Sequence, residues 1–382
     1  MQISYSHAPS ERTRARIVNA RCHTRGNYVE EHSLARAKAT GGVGSDSADG
    51  AASGPEGRIA LFDNLKGLLI ILVVFGHIAH PVHNTNPVLS FAFDVVYLFH
   101  MPLFVLMSGL FAKGAYRNGK LKINRIISFI ALGFAYQLAL ALINGAKLTP
   151  LRICAFTSAP WYLISMGCWY AMTPVLARLG TVRGMVASIA ISLLSGLMDT
   201  SSGFLAIGRT CAFLPCFALG YYLRPATVAS LHGRNIPWPA LCLAGVVVAM
   251  RLIDTDSCNW FFPMVYGDNP YASGLFEGIA QRLTAFLMGA LMSLAVLKLA
   301  PTATGWLTTL GRRTLQVYVL HRLARAWLTF HTPLYGFEWM DDPFAGTAVV
   351  VALTAATVAL CAAPQLERPF ARLLSIRWIR GE

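Results

Sequence analysis

The segment from Arg58 to Pro81 reads RIALFDNLKGLLIILVVFGHIAHP and sets an acid, a base and an imidazole at helical spacing. At about 100° per residue, Lys66 and His77 fall within about 20° of each other, and Asp63 lies about 40° to the other side of His77. The intervening LLIILVVF is apolar throughout, so the three share one stripe of an otherwise apolar helix. A rise of about 1.5 Å per residue separates Lys66 from His77 by about 16 Å along the axis. An ionisable side chain at membrane depth is costly and faces a cavity or a partner. Imidazole exchanges a proton near neutral pH, which makes His77 the candidate general base for activating a hydroxyl. Asp63, more than two turns away, is too far to be its hydrogen-bonded orienter and is expected to fix the basic residues or the local helix. Two plainer readings compete. His77 can pack helices by bonding a neighbouring carbonyl. His77, His80 and His83 can together suggest a metal site, but Pro81 interrupts the helix there and no carboxylate is near in sequence, so no metal is expected.

The stripe needs a bilayer around it. Of 382 residues, 55% are hydrophobic and 13% charged, about half the charge of a soluble domain. Apolar runs of spanning length recur from Leu61 to the end. The expected fold is all-α: a polytopic transmembrane helical bundle of about ten helices. Its spans lie near 61–82, 88–112, 126–144, 158–178, 184–199, 203–223, 237–253, 274–299, 313–331 and 345–363. No internal repeat stands out, which weakens the case for a repeat-built transporter. The eight cysteines have neither CxxC pairs nor ligand spacing, and a pairing of Cys154 with Cys258 has little behind it. Residues 1–57 are basic, then rich in Gly, Ser and Ala, with no apolar run. They read as a disordered cytoplasmic tail rather than a signal peptide. Residues 58–372 form the membrane domain and 373–382 a short basic cytoplasmic C-terminal tail.

The 32 Lys and Arg against 18 Asp and Glu raise the question of nucleic acid, and their placement answers it. Lys113, Arg117, Lys120, Lys122 and Arg125 follow the second span, Arg178 and Arg183 the fourth, Arg224 and Arg234 the sixth. Lys298, Arg312 and Arg313 follow the eighth, and Arg368, Arg372, Arg377 and Arg380 the tenth. The alternate loops are poorer in basic residues, apart from Lys147 and Arg152. This is the positive-inside pattern with both termini cytoplasmic, not a nucleic-acid footprint.

Further polar groups accompany the first helix. In FHMPLFVLMSGLFAKG, Pro102 kinks the second span and leaves His100 and Ser108 beside irregular backbone, as in a cavity wall; ordinary packing is the alternative. Lys122 and Arg125 stand in a KxxR arrangement able to hold a polyanion by charge-assisted bonds, although positive-inside topology explains the same charges. Trp161 heads the fourth span, where an interfacial aromatic belt would also place it. In GRRTLQVYVLH, Tyr318 and His321 lie three apart, on one helix face. Arg282, inside the eighth span, needs a partner, with Asp199 or a ligand the candidates.

These motifs resemble the acyltransferase-3 family of integral membrane acyltransferases, in its fucose 4-O-acetylase-like branch. The resemblance rests on DNLKGLLIILVVFGH with Asp63, Lys66 and His77, then FHMPLF with Ser108-Gly109, and the KxxR of Lys122 and Arg125. Trp161-Tyr162-Leu163, the Gly311–His321 segment and Glu367-Arg368-Pro369 follow in order over residues 58–372. Lys66 stands where many members carry Arg, which loosens any contact there, because Lys lacks the guanidinium fork. The resemblance implies a multi-pass enzyme of the bacterial plasma (inner) membrane that moves an acyl group, acetyl by analogy, from acyl-CoA to a hydroxyl of a carbohydrate or glycolipid. The acceptor would belong to a cell-envelope glycan. It implies catalytic roles for His77, Asp63 and His100, donor contacts for Lys66, Lys122 and Arg125, and acceptor contacts for Ser108, Trp161, Tyr318 and His321. The expected partners are acyl-CoA, the acceptor and membrane lipid, with no nucleic acid. A transporter or flippase of a glycan precursor using His77 and Asp63 as a proton relay is the rival, and a sensor without turnover is a third reading.

Overall fold

The computed structural model describes residues 59–235 and 237–379. The expected tail over 1–57 lies outside them, as do the last three residues of the expected C-terminal tail. The described residues fold as α1 (Ala60–Ala79), α2 (Pro87–Leu110), α3 (Ile123–Ile143), α4 (Pro150–Cys154), α5 (Trp161–Ser195), α6 (Ile207–Ala212) and α7 (Leu214–Tyr222). There follow α8 (Pro225–Gly233), α9 (Pro237–Ile253), α10 (Leu275–Leu299), α11 (Trp306–Arg312), α12 (Thr314–His331), α13 (Ala345–Cys361) and α14 (Glu367–Leu374). A small antiparallel hairpin, β1 (Tyr116–Arg117) with β2 (Lys120–Leu121), joins α2 to α3.

The protein is a multi-pass helical membrane protein. Five helices, α1, α2, α3, α5 and α10, are long and apolar enough to cross a bilayer; counting the bent pairs α8 with α9 (76°) and α13 with α14 (49°) as single spans raises the number to seven. The distance from the expected ten has visible causes. The fourth and fifth expected spans both lie within α5, which a non-helical Gly180 with φ 72° divides between them. This left-handed φ suits glycine. The sixth expected span breaks into α6 and α7 at Phe213. In α12 a polar stripe of Gln316, His321, Arg322 and Arg325 interrupts the apolar run.

α1 is the interior helix. It packs against α2, α11, α12 and α13, and Leu65, Leu69, Ile70, Val74 and Ile78 are wholly buried. A helix apolar on every side belongs inside. Its first turns anchor the segment leading into α11. Asn64 Nδ2 donates to the carbonyls of Pro301 (2.7 Å) and Ala303 (2.8 Å), and Thr308 Oγ1 donates to Asn64 Oδ1 (2.6 Å). The close approach rests on Gly311, where an added Cβ would lie 1.8 Å from the Asp63 carbonyl oxygen. Overpacking of this kind costs about 1–3 kcal/mol. Gly311→Val is therefore expected to lower the thermal midpoint of the detergent-solubilised protein, and an unchanged midpoint would refute the contact.

The start of α2 is fixed by fully buried Asn86. Its Oδ1 accepts from the backbone N–H of Val88 and Leu89 (both 3.1 Å), while its Nδ2 donates to the Asp342 carbonyl (2.8 Å) just before α13. Arg251 on α9 pairs with Asp94 on α2 at 2.6 Å. Arg282 on α10 does not meet Asp199. It donates to the Ser192 carbonyl (2.7 Å), Ser195 Oγ (2.9 Å) and the Asn269 carbonyl (3.2 Å), and its guanidinium lies over Tyr271. Asp199 is exposed and accepts from Ser201. Of the two candidate partners, Asp199 is not met; the guanidinium instead finds a carbonyl in the last turn of α5 and another in the loop before α10. Cys154 and Cys258 are both free thiols.

Candidate active site

The C-terminal end of α1 opens onto a cavity of about 330 Å³, lined among others by His77, His100, Trp161, Arg209, Arg322 and Arg325. Several separate elements build this wall, α6 among them with Arg209. α1 carries His77, and α2 carries His100 just before Pro102. Trp161 stands at the first position of α5, and α12 contributes the two arginines.

His77 faces His321 of α12, with ring centroids 5.2 Å apart. Nδ1 of His321 lies 2.9 Å from the Val317 carbonyl, and Nδ1 of His100 lies 2.8 Å from the Val96 carbonyl. A carbonyl only accepts, so in each neutral ring the proton sits on Nδ1 and the lone pair on Nε2. Nε2 of His321 is buried and has no hydrogen-bond partner. His100 also meets the edge of Tyr97 at 4.7 Å. Trp161 stacks on Phe213, and the Arg209 guanidinium lies 5.5 Å from the Trp161 ring.

Arg209 is itself paired with Asp268 at 2.6 Å. Burial pushes the Asp268 carboxyl above its usual value, against the pull of Arg209. On the other side of the site, burial also raises the Tyr335 phenol, with Arg325 and Arg322 opposing. The Tyr335 hydroxyl donates to the Ile78 carbonyl, one residue after His77 (3.1 Å).

Not every expected residue reaches the cavity. His321, Tyr318 and Ser108 are buried outside its lining, on a line of rings. Tyr318 sits 6.0 Å from His321 and 5.5 Å from Tyr162, and the Tyr162 hydroxyl is 2.5 Å from Ser108 Oγ. The Tyr318 hydroxyl donates to the Ala159 carbonyl, and Ser108 Oγ also donates to the Phe104 carbonyl (3.0 Å). A void of about 10 Å³ lies beside Tyr162 and Tyr318.

Asp63, Lys66, Lys122 and Arg125 are also outside the cavity lining. Lys66 Nζ is 2.7 Å from Asp63 Oδ1, and Arg312 Nε is 3.7 Å from Asp63 Oδ2. Lys66 also lies 5.6 Å from the Phe111 ring, where α2 ends. The chain from there forms the β1–β2 hairpin and returns at exposed Lys122, the residue before α3. Arg125 rests over the Phe129 ring at 5.9 Å, with its Nε unpartnered. Lys66 and His77 therefore occupy opposite ends of α1, about 16 Å apart along its axis.

Sequence reasoning missed Tyr97, Thr157, Ser158, Arg209, Tyr266, Arg322 and Arg325 in the lining. Arg322 and Arg325 had a usable signal, because with Tyr318 and His321 they form one i, i+3, i+4, i+7 face of α12. Arg209 and Asp268 had none, since one stands on α6 and the other in the loop before α10, far apart in sequence. Among the described residues no group of three His, Cys, Asp or Glu is placed to hold a metal ion.

The sequence model of the acyltransferase-3 family, described as an acyltransferase domain, matches residues 59–364. Two curated relatives match over one short stretch. Nodulation protein NolL of Sinorhizobium fredii is 49% identical over 65 residues, and nodulation protein NolL of Mesorhizobium japonicum is 41% identical over 66. Each match covers 16% of this chain and 18% of the relative, so the chain spans less than a fifth of the length of these curated relatives. No solved structure matches.

Proposed function

The chain belongs to the acyltransferase-3 family, and on that premise we propose that it moves an acyl group, acetyl in the simplest case, from acyl-CoA to a hydroxyl of a carbohydrate or cell-envelope glycan. The observation that carries this reading is the cavity lined by His77 and His100, inside the matched acyltransferase domain, with the buried His321 ring packed 5.2 Å from that of His77. In this scheme both termini are cytoplasmic, ten helical segments cross the bacterial plasma membrane, and the Lys66 end of α1 is the cytoplasmic end. The polyanionic head of acyl-CoA rests on Lys122 and Arg125, with Lys66 nearby. The acceptor enters the cavity at the far end, against Trp161 and His100. His77 takes the proton as the acceptor oxygen attacks the thioester carbonyl. The C–O bond forms, the C–S bond breaks, and the proton passes on to the CoA thiolate, leaving an O-acyl ester and free CoA thiol.

The line through Ser108, Tyr162 and Tyr318 is the route for the donor arm. With about 10 Å³ of free space beside it, room for about one water, Tyr162 and Tyr318 must swing aside before the arm passes. Charge-assisted bonds are worth about 1.5–3 kcal/mol each. Lys122→Gln with Arg125→Gln is therefore expected to raise KM for acetyl-CoA by about tenfold or more with kcat little changed, as loss of uniform binding requires. A loss confined to kcat would remove these residues from the donor site.

The function itself is tested on envelope glycans from cells with and without the protein, by mass spectrometry before and after mild alkali. An alkali-labile, acetyl-sized increment that depends on the protein is expected. Its absence, with folded protein in its native host, would overturn the reading.

A further inference from the structure

The cavity wall is out of electrostatic balance. Its lining contains three arginines and no carboxylate. Asp268 neutralises Arg209, which leaves Arg322 and Arg325 on one face of α12, and among the described residues neither forms an ion pair. Arg322 Nε donates to Ser158 Oγ at 3.1 Å, but its Nη1 is buried without an acceptor. Arg325 is 9% exposed, and its Nε is likewise buried without one. Buried guanidinium N–H groups are ordinarily satisfied, and an unpaired buried charge is expensive. Two such groups side by side on a cavity of ligand size require an acceptor from outside the chain. The planar fork of Arg favours an oxyanion. A volume of about 330 Å³ lies at the small end of ligand pockets, which run from about 300 to 1,000 Å³, so it suits one substituted sugar ring rather than an extended chain.

We propose that Arg322 and Arg325 bind an oxyanion carried by the acceptor, a carboxylate, sulfate or phosphate on the sugar, so that the acceptor is an acidic glycan unit. The inference rests on the acyl-transfer reading for the word acceptor and on the geometry of α12 for the anion. Arg322 and Arg325 sit one residue and one turn beyond His321, so an anion held there fixes the sugar against the His77–His321 pair and selects which hydroxyl is presented.

The test uses the full chain in detergent with three probes: methyl β-D-glucoside, methyl β-D-glucuronide and glucose 6-sulfate. Binding is read as the ligand-dependent shift of the thermal midpoint, and transfer as radiolabelled acetyl from acetyl-CoA. At least one anionic probe is expected to bind tenfold or more tightly than the glucoside. Arg322→Gln and Arg325→Gln should each abolish that preference, with glucoside binding kept within threefold and partial recovery in Arg325→Lys. Binding of neither anionic probe, equal binding of all three, or equal weakening of all three in the variants would overturn the inference. Anion-selective binding without acetyl transfer to any probe or to cellular glycans would uphold the site and overturn the transferase reading. Transfer to the glucoside as efficient as to both anionic probes would do the reverse.

Discussion

His77→Ala is expected to lower acyl transfer by about 10²–10⁴-fold, the usual worth of a positioned general base, without unfolding the protein. The second half follows from packing. His77 lines the cavity rather than filling the core, and α1 is held by its fully buried neighbours Val74 and Ile78 and by the Tyr335 bond to the Ile78 carbonyl. Removing the imidazole enlarges a space already open to ligand, so the thermal midpoint should move little. The structure also supplies a rival base. With its Nδ1 bound to the Val317 carbonyl, buried His321 holds an unpartnered Nε2 beside His77, and a shift of its ring toward the cavity would let it take the acceptor's proton instead. The two alanine variants separate them. If His77 is the base, His77→Ala falls by orders of magnitude in kcat, whereas His321→Ala loses mainly acceptor affinity, seen in KM. A His77→Ala enzyme that keeps more than about a tenth of its rate, beside an inactive His321→Ala, would transfer the role to α12.

The parts of this site written on one helix were legible, because a single helix converts spacing into geometry. Asp63 and Lys66 meet as their three-residue separation requires, and His77 emerges at the other end, where the axial rise puts it. Tyr318 and His321 share a face for the same reason, yet the stripe was read two residues long when it continues through Arg322 and Arg325. What crosses between helices left no trace in local spacing. The Arg251–Asp94 pair joins residues 157 apart in sequence, and the meeting of His77 with His321 depends on α1 lying against α12. The failed pairing of Arg282 with Asp199 is the informative case. The sequence offers Asp199 or a ligand as the partner of Arg282, whereas helix ends and loops provide carbonyl acceptors that local spacing does not reveal. Span counting by length and apolarity is weakest at the places that matter most for function, since α12 is less apolar because its polar face turns to the cavity.

Asp63→Asn is expected to be among the most destabilising single changes at the Lys66 end of α1. The carboxylate is 3% exposed and Lys66 is 9% exposed, and their 2.7 Å contact takes two charges out of solvent together. Losing one partner of a buried pair leaves the other uncompensated, at a cost of about 3–5 kcal/mol, whereas replacing both by apolar groups is often neutral or better. Arg312, half exposed and 3.7 Å from Asp63, adds little in that comparison because solvent screens it. The thermal midpoint should therefore fall sharply in Asp63→Asn, while Asp63→Leu with Lys66→Met recovers most of the loss. Activity in that double variant then decides what the pair is for. If Lys66 only anchors the helix, the stable double variant transfers acyl groups normally. If it lends its charge to acyl-CoA at this end of α1, the stable variant shows a raised KM for the donor, and Lys66→Arg keeps it low because the guanidinium offers the same anion more donors. A double variant with wild-type KM would sink the donor role of Lys66 while leaving Lys122 and Arg125 in place.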